Sequence, residues 1–250
     1  MKARWHRARR GLVLLGLTAL LLLAWDVSGA DLTVTRWYGG PGGFAWRDAW
    51  LTRTLFHDGG RLAAGVLLGV LAWDLARPIW AGPTRSERAF WLAVVVVSML
   101  LVPAHKRMSL TSCPWELAEF GGQARYVSHW LRGVVDGGPG HCFPSGHAVA
   151  AFGFIGLYFL WRPHRPAAAR AVLLAVCVAG VLFAWAQLAR GAHYLSHSLW
   201  TGWLSAALAW TALWVAPRVP ASPGAVLSAG APPGGEAPMG QDQAATTRIE

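Results

Sequence analysis

Six long apolar stretches alternate with polar connections along the chain, at roughly 11–25, 60–80, 89–104, 146–161, 170–187 and 197–216. Runs of this length read as helices rather than strands. An upright helix needs ~20 residues to cross ~30 Å of hydrocarbon, and several of these stretches fall short. Flanking tryptophans and arginines extend their reach. Trp25, Trp80, Trp91, Trp161, Trp200 and Trp214 sit near the proposed ends, where an amphipathic ring is most stable. The pattern predicts an all-α fold, a polytopic membrane bundle of about six transmembrane helices. For the first stretch the alternative is a secretory signal cleaved at Ser28-Gly29-Ala30. Residues 44–57 carry Phe44, Trp46, Trp50, Leu51, Leu55 and Phe56 at roughly helical spacing. They fit either a helix lying in the interface or a packed surface loop. Residues 217–250 are rich in Pro, Gly, Ala and Ser, which predicts a disordered cytoplasmic tail behind a membrane domain of 1–216.

Composition supports the same picture. Hydrophobic residues make up 54% of the chain and charged residues only 14%, against about 25% charged in soluble domains. A soluble enzyme and a disordered chain are both excluded. The net charge of +10 does not imply a nucleic-acid partner. Five of the 22 Lys and Arg (Lys2, Arg4, Arg7, Arg9 and Arg10) directly precede the first apolar run and act as a membrane-orienting cluster. Arg77, Arg85 and Arg88, with Arg162, Arg165 and Arg170, mark two short links as cytoplasmic. Both termini then face the cytoplasm of a bacterial-type inner membrane, and the long links 26–59 and 105–145 face outward.

Three polar clusters fall on that outward side: His105-Lys106-Arg107, His141 to His147, and Gln187 to His197. In the second, Pro144 suits a first helical turn. Ser145 and Gly146 are expected to offer free N–H groups to an anion, and His147 is placed to donate a proton. In the third, His193 and His197 stand four apart and share a face if the helix is continuous. A zinc pair is one reading, weakened by the absence of a carboxylate in the cluster. A nucleophile with an orienting partner is another, and a structural pair is the third. A transporter lacks support, since Asp74 is the main acidic residue inside a span and is expected to meet a nearby arginine such as Arg77. Cys177 reads as core packing.

Together the clusters resemble the type-2 phosphatidic acid phosphatase superfamily, which includes bacterial lipid phosphatases and vanadium haloperoxidases. That family carries Lys-x6-Arg-Pro, Pro-Ser-Gly-His and Ser-Arg-x5-His-x3-Asp. The second motif is intact here as Pro144-Ser145-Gly146-His147. In the first, Cys113 stands in the Arg position after Lys106. In the third, Gln187 takes the Arg position and His197 the Asp position around His193.

The resemblance implies a membrane phosphatase acting on a lipid phosphate or diphosphate, with the bilayer as its surroundings and no cofactor or metal. It implies His193 as nucleophile, His147 as acid and base, and His197 as the orienting partner. Lys106, Ser145, Gly146 and Arg190 are implied to bind phosphate, with Arg107 as a further candidate cation. It also implies that the first two motifs converge, so that Cys113 and Cys142 form a disulfide. Phosphoryl transfer between lipids and non-catalytic headgroup binding stay open as alternatives. Oligomeric state is not legible.

Overall fold

The structure, a computed structural model, describes residues 2–131 and 133–217. The tail expected over 218–250 lies outside the described residues. Helix α1 (Lys2–Ser28) is followed by the short α2 (Ala30–Thr35) and a two-stranded hairpin, β1 (Gly39–Gly40) with β2 (Gly43–Phe44). A π-helical segment, Leu51–Gly59, runs directly into α3 (Gly60–Ala76). Then come α4 (Arg85–Lys106), a long loop with two 3-10 turns, and α5 (Val149–Phe152), which a 3-10 turn joins to α6 (Gly156–Trp161). The bundle closes with α7 (Pro166–Ala189) and α8 (Leu195–Ala212).

Local chemistry sets these ends. Helix α3 stops at Arg77, which is extended because Pro78 follows it. A reciprocal cap between Thr84 and Glu87 starts α4, and Pro166 occupies the first turn of α7. Residues 44–57 are neither a separate interfacial helix nor one loop. Phe44 is buried at the hairpin, and Leu51 already begins the second span.

Among the described residues, four helices are long and apolar enough to cross a membrane: Arg9–Ser28, Leu51–Ala76, Arg85–Lys106 and Pro166–Ala189. Val149–Trp161 is apolar but shorter. Leu12, Leu20, Leu21, Leu62, Val66 and Leu174 point outward from this bundle, whereas α8 buries Ser196, His197, Ser198, Thr201 and Ser205. Apolar side chains outside and polar ones inside suit a lipid solvent, making this a membrane protein. Small residues let the helices approach: a Cβ on Gly180 would stand 2.2 Å from the Phe152 ring.

Two expectations are corrected. Asp74 pairs not with Arg77 but with Arg88, both buried, which ties α3 to α4. Arg77 lies over the Trp73 ring instead. Cys177 is exposed on the outer face of α7, because the inward positions there belong to Val176 and Gly180.

The junction between α7 and α8 carries the third polar cluster. Gly191 has φ +70, and a Cβ there would meet the Phe44 ring at 2.4 Å. Its carbonyl accepts the Trp115 N–H at 3.0 Å. Gly191→Ala is therefore expected to destabilise the fold by about 2 kcal/mol or more, from left-handed strain plus overpacking. Thermal unfolding in detergent measures this, and an unchanged Tm contradicts it.

Candidate active site

One end of the bundle gathers five separate pieces of chain. Lys106 ends α4, Gly146 and His147 lie in the turn before α5, and Gln187, Arg190, Ala192 and His193 span the end of α7 and the turn after it. His57 and Arg61 come from the π-helical segment and the first turn of α3. With Cys113 and Trp115 these residues line a cavity of about 430 Å³. Lys106, Arg61 and Arg190 bring three basic side chains to it, and no carboxylate lines it among the described residues. Such a lining suits an anion and offers no hard-cation ligands.

His147 is held on two sides. Its Nε2 lies 3.1 Å from the Phe56 carbonyl, so Nε2 carries the hydrogen and donates it. The ring stacks on His57 at 4.7 Å and meets Phe183 at 4.8 Å. Its Nδ1 is buried without a partner, leaving a lone pair on the nitrogen. Burial, reinforced by the His57 charge, lowers the His147 pKa from 6.5 to about 4.

His193 is buried, and its Nδ1 lies 3.4 Å from Cys142 Sγ. Burial, then the charge of Lys106, holds its imidazole well below the ordinary value. A disulfide joins Cys113 to Cys142, with Cα atoms 5.1 Å apart. The Cys142 carbonyl accepts from His197 Nδ1 at 3.0 Å. The two sulfurs and His193 bring potential ligand atoms within 4.8 Å of one another. Because the disulfide consumes both thiolates, this group is a poor metal site.

Not every expected residue reaches the cavity. The Ser145 N–H is not free for an anion: it donates to the His197 carbonyl at 3.1 Å, and Ser145 Oγ accepts the Ala148 N–H. Arg107 is exposed just past α4 and lies outside the lining. His193 and His197 do not share a continuous helix, since α8 begins only at Leu195. Their ring centroids are 5.9 Å apart, and no hydrogen bond joins them among the described residues. His197 sits behind the cavity wall.

His57 and Arg61 were not legible as site residues. The one signal was a polar group at the start of the second apolar stretch, where snorkelling explained it equally well.

The depressed imidazoles carry a pH prediction. Below about pH 6.5 the unfolded chain takes up protons that the folded chain refuses at His147 and His193. Stability is expected to fall as pH drops from 6.5 toward about 4. Inorganic phosphate in the cavity should favour the protonated imidazole, so its binding near about pH 5.5 should take up a proton. Calorimetry in buffers of different ionisation enthalpy measures that uptake, and a heat independent of buffer contradicts it.

A crystal structure of a transmembrane PAP2-type phosphatidylglycerolphosphate phosphatase from Bacillus subtilis shares this fold. The TM-score is 0.53, with 18% identity over 82% of this chain and 94% of that one. No curated protein matches the chain. The PAP2 superfamily model matches residues 88–220, more than half of the 250 residues. The match takes in Lys106, the Pro144 to His147 turn and the junction that holds His193, and by it the chain belongs to the PAP2 superfamily.

Proposed function

We propose that the chain is a membrane phosphatase that hydrolyses a phosphate or diphosphate on a lipid through a phosphohistidine on His193. The observation that carries this reading is the cavity itself, with three cations, two buried imidazoles and no carboxylate. The activity of the Bacillus subtilis phosphatase that shares the fold points the same way. Arg77, Arg162 and Arg165 lie in links, and Arg85 opens α4, at the opposite end of the bundle. By the positive-inside rule that end is cytoplasmic, and the cavity faces outward in a bacterial-type inner membrane.

Lys106, Arg61 and Arg190 hold the phosphate oxygens. Arg190 Nε is occupied by the Arg47 carbonyl at 2.8 Å, which orients the guanidinium and leaves its terminal N–H groups for the anion. The Gly146 N–H adds a backbone donor at the mouth of α5. With Nδ1 turned to Cys142, His193 presents Nε2 to phosphorus. The nitrogen–phosphorus bond forms as the bond to the lipid oxygen breaks. That oxygen takes the proton from His147 Nδ1, whose protonation the bound anion favours. In the second half, His147 Nδ1 removes a proton from water, and the water oxygen attacks phosphorus. His193 Nε2 recovers its electron pair and inorganic phosphate leaves. The cations stabilise the charge that grows on the oxygens in both steps. Nothing in this sequence calls for a metal.

A phosphate-release screen tests the reading. It covers phosphatidic acid, phosphatidylglycerol phosphate, undecaprenyl diphosphate and lipid A-type phosphates, in EDTA, with and without an acceptor lipid. Release that vanadate inhibits is expected from at least one. No release from any of them, and no vanadate binding, would favour a headgroup-binding protein without catalysis.

A further inference from the structure

Behind the cavity wall a second set of ionisable groups runs away from His193 into the bundle. Asp26, from the last turn of α1, is buried. Its Oδ2 accepts the indole N–H of Trp130 and of Trp200, each at 2.8 Å. His129 Nε2 stands 3.5 Å from the same oxygen, and both side chains are almost fully buried. The His129 ring lies flat on Phe143 at 3.9 Å and edge-on to His197 at 5.2 Å. His197 in turn donates from Nδ1 to the Cys142 carbonyl, and His193 Nδ1 lies against Cys142 Sγ at 3.4 Å. These contacts follow one another in the order Asp26, His129, His197, Cys142, His193.

Buried polar atoms without partners are uncommon, and each one in a native fold asks for a reason. Asp26 Oδ1, His129 Nε2 and His197 Nε2 are three such atoms, and all belong to this one file. A purely structural cluster gains nothing from imidazoles stacked between a carboxylate and a catalytic wall, because apolar rings would fill the same volume without the desolvation cost. A nucleophilic histidine, by contrast, needs negative charge behind it. That charge fixes the tautomer and stabilises the cation that forms on attack. His197, directly behind His193, brings no negative charge of its own, and the nearest carboxylate along the file is Asp26.

We propose that Asp26 and His129 are positioning residues for His193: the Asp26 charge, passed through His129 and His197 to the Cys142 carbonyl, holds His193 for attack. The proposal rests on His193 being the nucleophile. The Asp26, His129 and His197 side chains are buried, so the charge acts through a weakly screening interior. The groups facing His193 directly are Lys106, His147 and His197. All three oppose its protonation, and Asp26 is the one acidic group in the file.

The test is an epistasis experiment on the full chain in detergent or vesicles. Asp26→Asn keeps an oxygen for the two indoles and removes the charge. It is expected to lower kcat about tenfold with KM within about twofold. The acid limb of the pH profile should move down by about 0.5 pH unit, because the His193 imidazolium loses its support. In a His197→Asp background, where a carboxylate sits directly behind His193, the same substitution should cost less than about twofold.

His129→Phe retains the stacking on Phe143 and breaks the file. It guards against a misfolded Asp26→Asn and should lose kcat to the same extent. Wild-type kcat in either folded single variant overturns the proposal. So does an equal loss in both backgrounds with an unmoved acid limb, which marks a purely structural role. The His193 titration, followed by NMR on histidine-labelled protein without substrate, separates this proposal from the phosphatase reading. A parent protein that releases no phosphate, but whose His193 titration still responds to Asp26→Asn, sinks the reading and not the coupling. An unresponsive titration sinks the coupling.

Discussion

His193→Ala abolishes phosphate release, with an expected loss in kcat of at least about 10³-fold. The size follows from the kind of catalysis proposed. Without the imidazole there is no nitrogen to form the covalent intermediate, and the remaining cations can only bind and polarise the ester. Folding should survive, because His193 contributes a ring at the cavity wall, while the turn around it is held by backbone bonds. The Gln187 carbonyl accepts the N–H groups of Ala192 and His193, and Trp115 is bonded to Gly191. The decisive measurement is acid-labile phosphate trapped on the protein after mixing with labelled substrate and quenching in base. The parent protein should retain label and the variant none. Release at the parental rate from His193→Ala would end the nucleophile assignment.

His147→Gln is expected to lower kcat by about 10²–10⁴-fold on a lipid substrate, the usual contribution of a positioned proton donor. Glutamine retains a donor toward the Phe56 carbonyl, so the local structure should hold. The loss should depend on the leaving group. An alkoxide needs the proton as the bond breaks, whereas p-nitrophenolate does not. With p-nitrophenyl phosphate the variant should therefore retain far more of its first step. Equal losses on both substrates would show that His147 positions the phosphate rather than protonating the leaving oxygen.

Much of the fold could be read from the chain because lipid imposes long apolar runs, and those appear directly in the sequence. The run ends were less legible. The second span begins near Leu51 rather than 60, since its first turns carry Arg53, His57 and Asp58 and look like a loop. The partner of Asp74 was misread because Arg77 is near in sequence, while Arg88 arrives through the turn between α3 and α4. In the site, Lys106, His147 and His193 stood out through the resemblance of their clusters to the family motifs. His57 and Arg61 did not, because nothing local distinguishes a cavity cation from a headgroup contact. Ser145 shows the opposite error. Its N–H looked free at a helix start, but the neighbouring α8 supplies a carbonyl that only tertiary structure reveals.

The polar interior of α8 bears on how the chain is made. A segment of 18 residues containing Ser196, His197, Ser198, Thr201 and Ser205 is a poor candidate to leave the translocon alone. Its partners lie more than 160 residues earlier in the chain. Asp31 accepts the Ser196 N–H and hydroxyl, Asp26 accepts the Trp200 indole, and the Leu15 carbonyl accepts the Trp203 indole. Ribosomes complete those acceptors well before α8. The helix thus enters a bilayer that already holds a waiting polar slot, and its lateral partitioning depends on the segment around Leu15 to Asp31 having stayed attached.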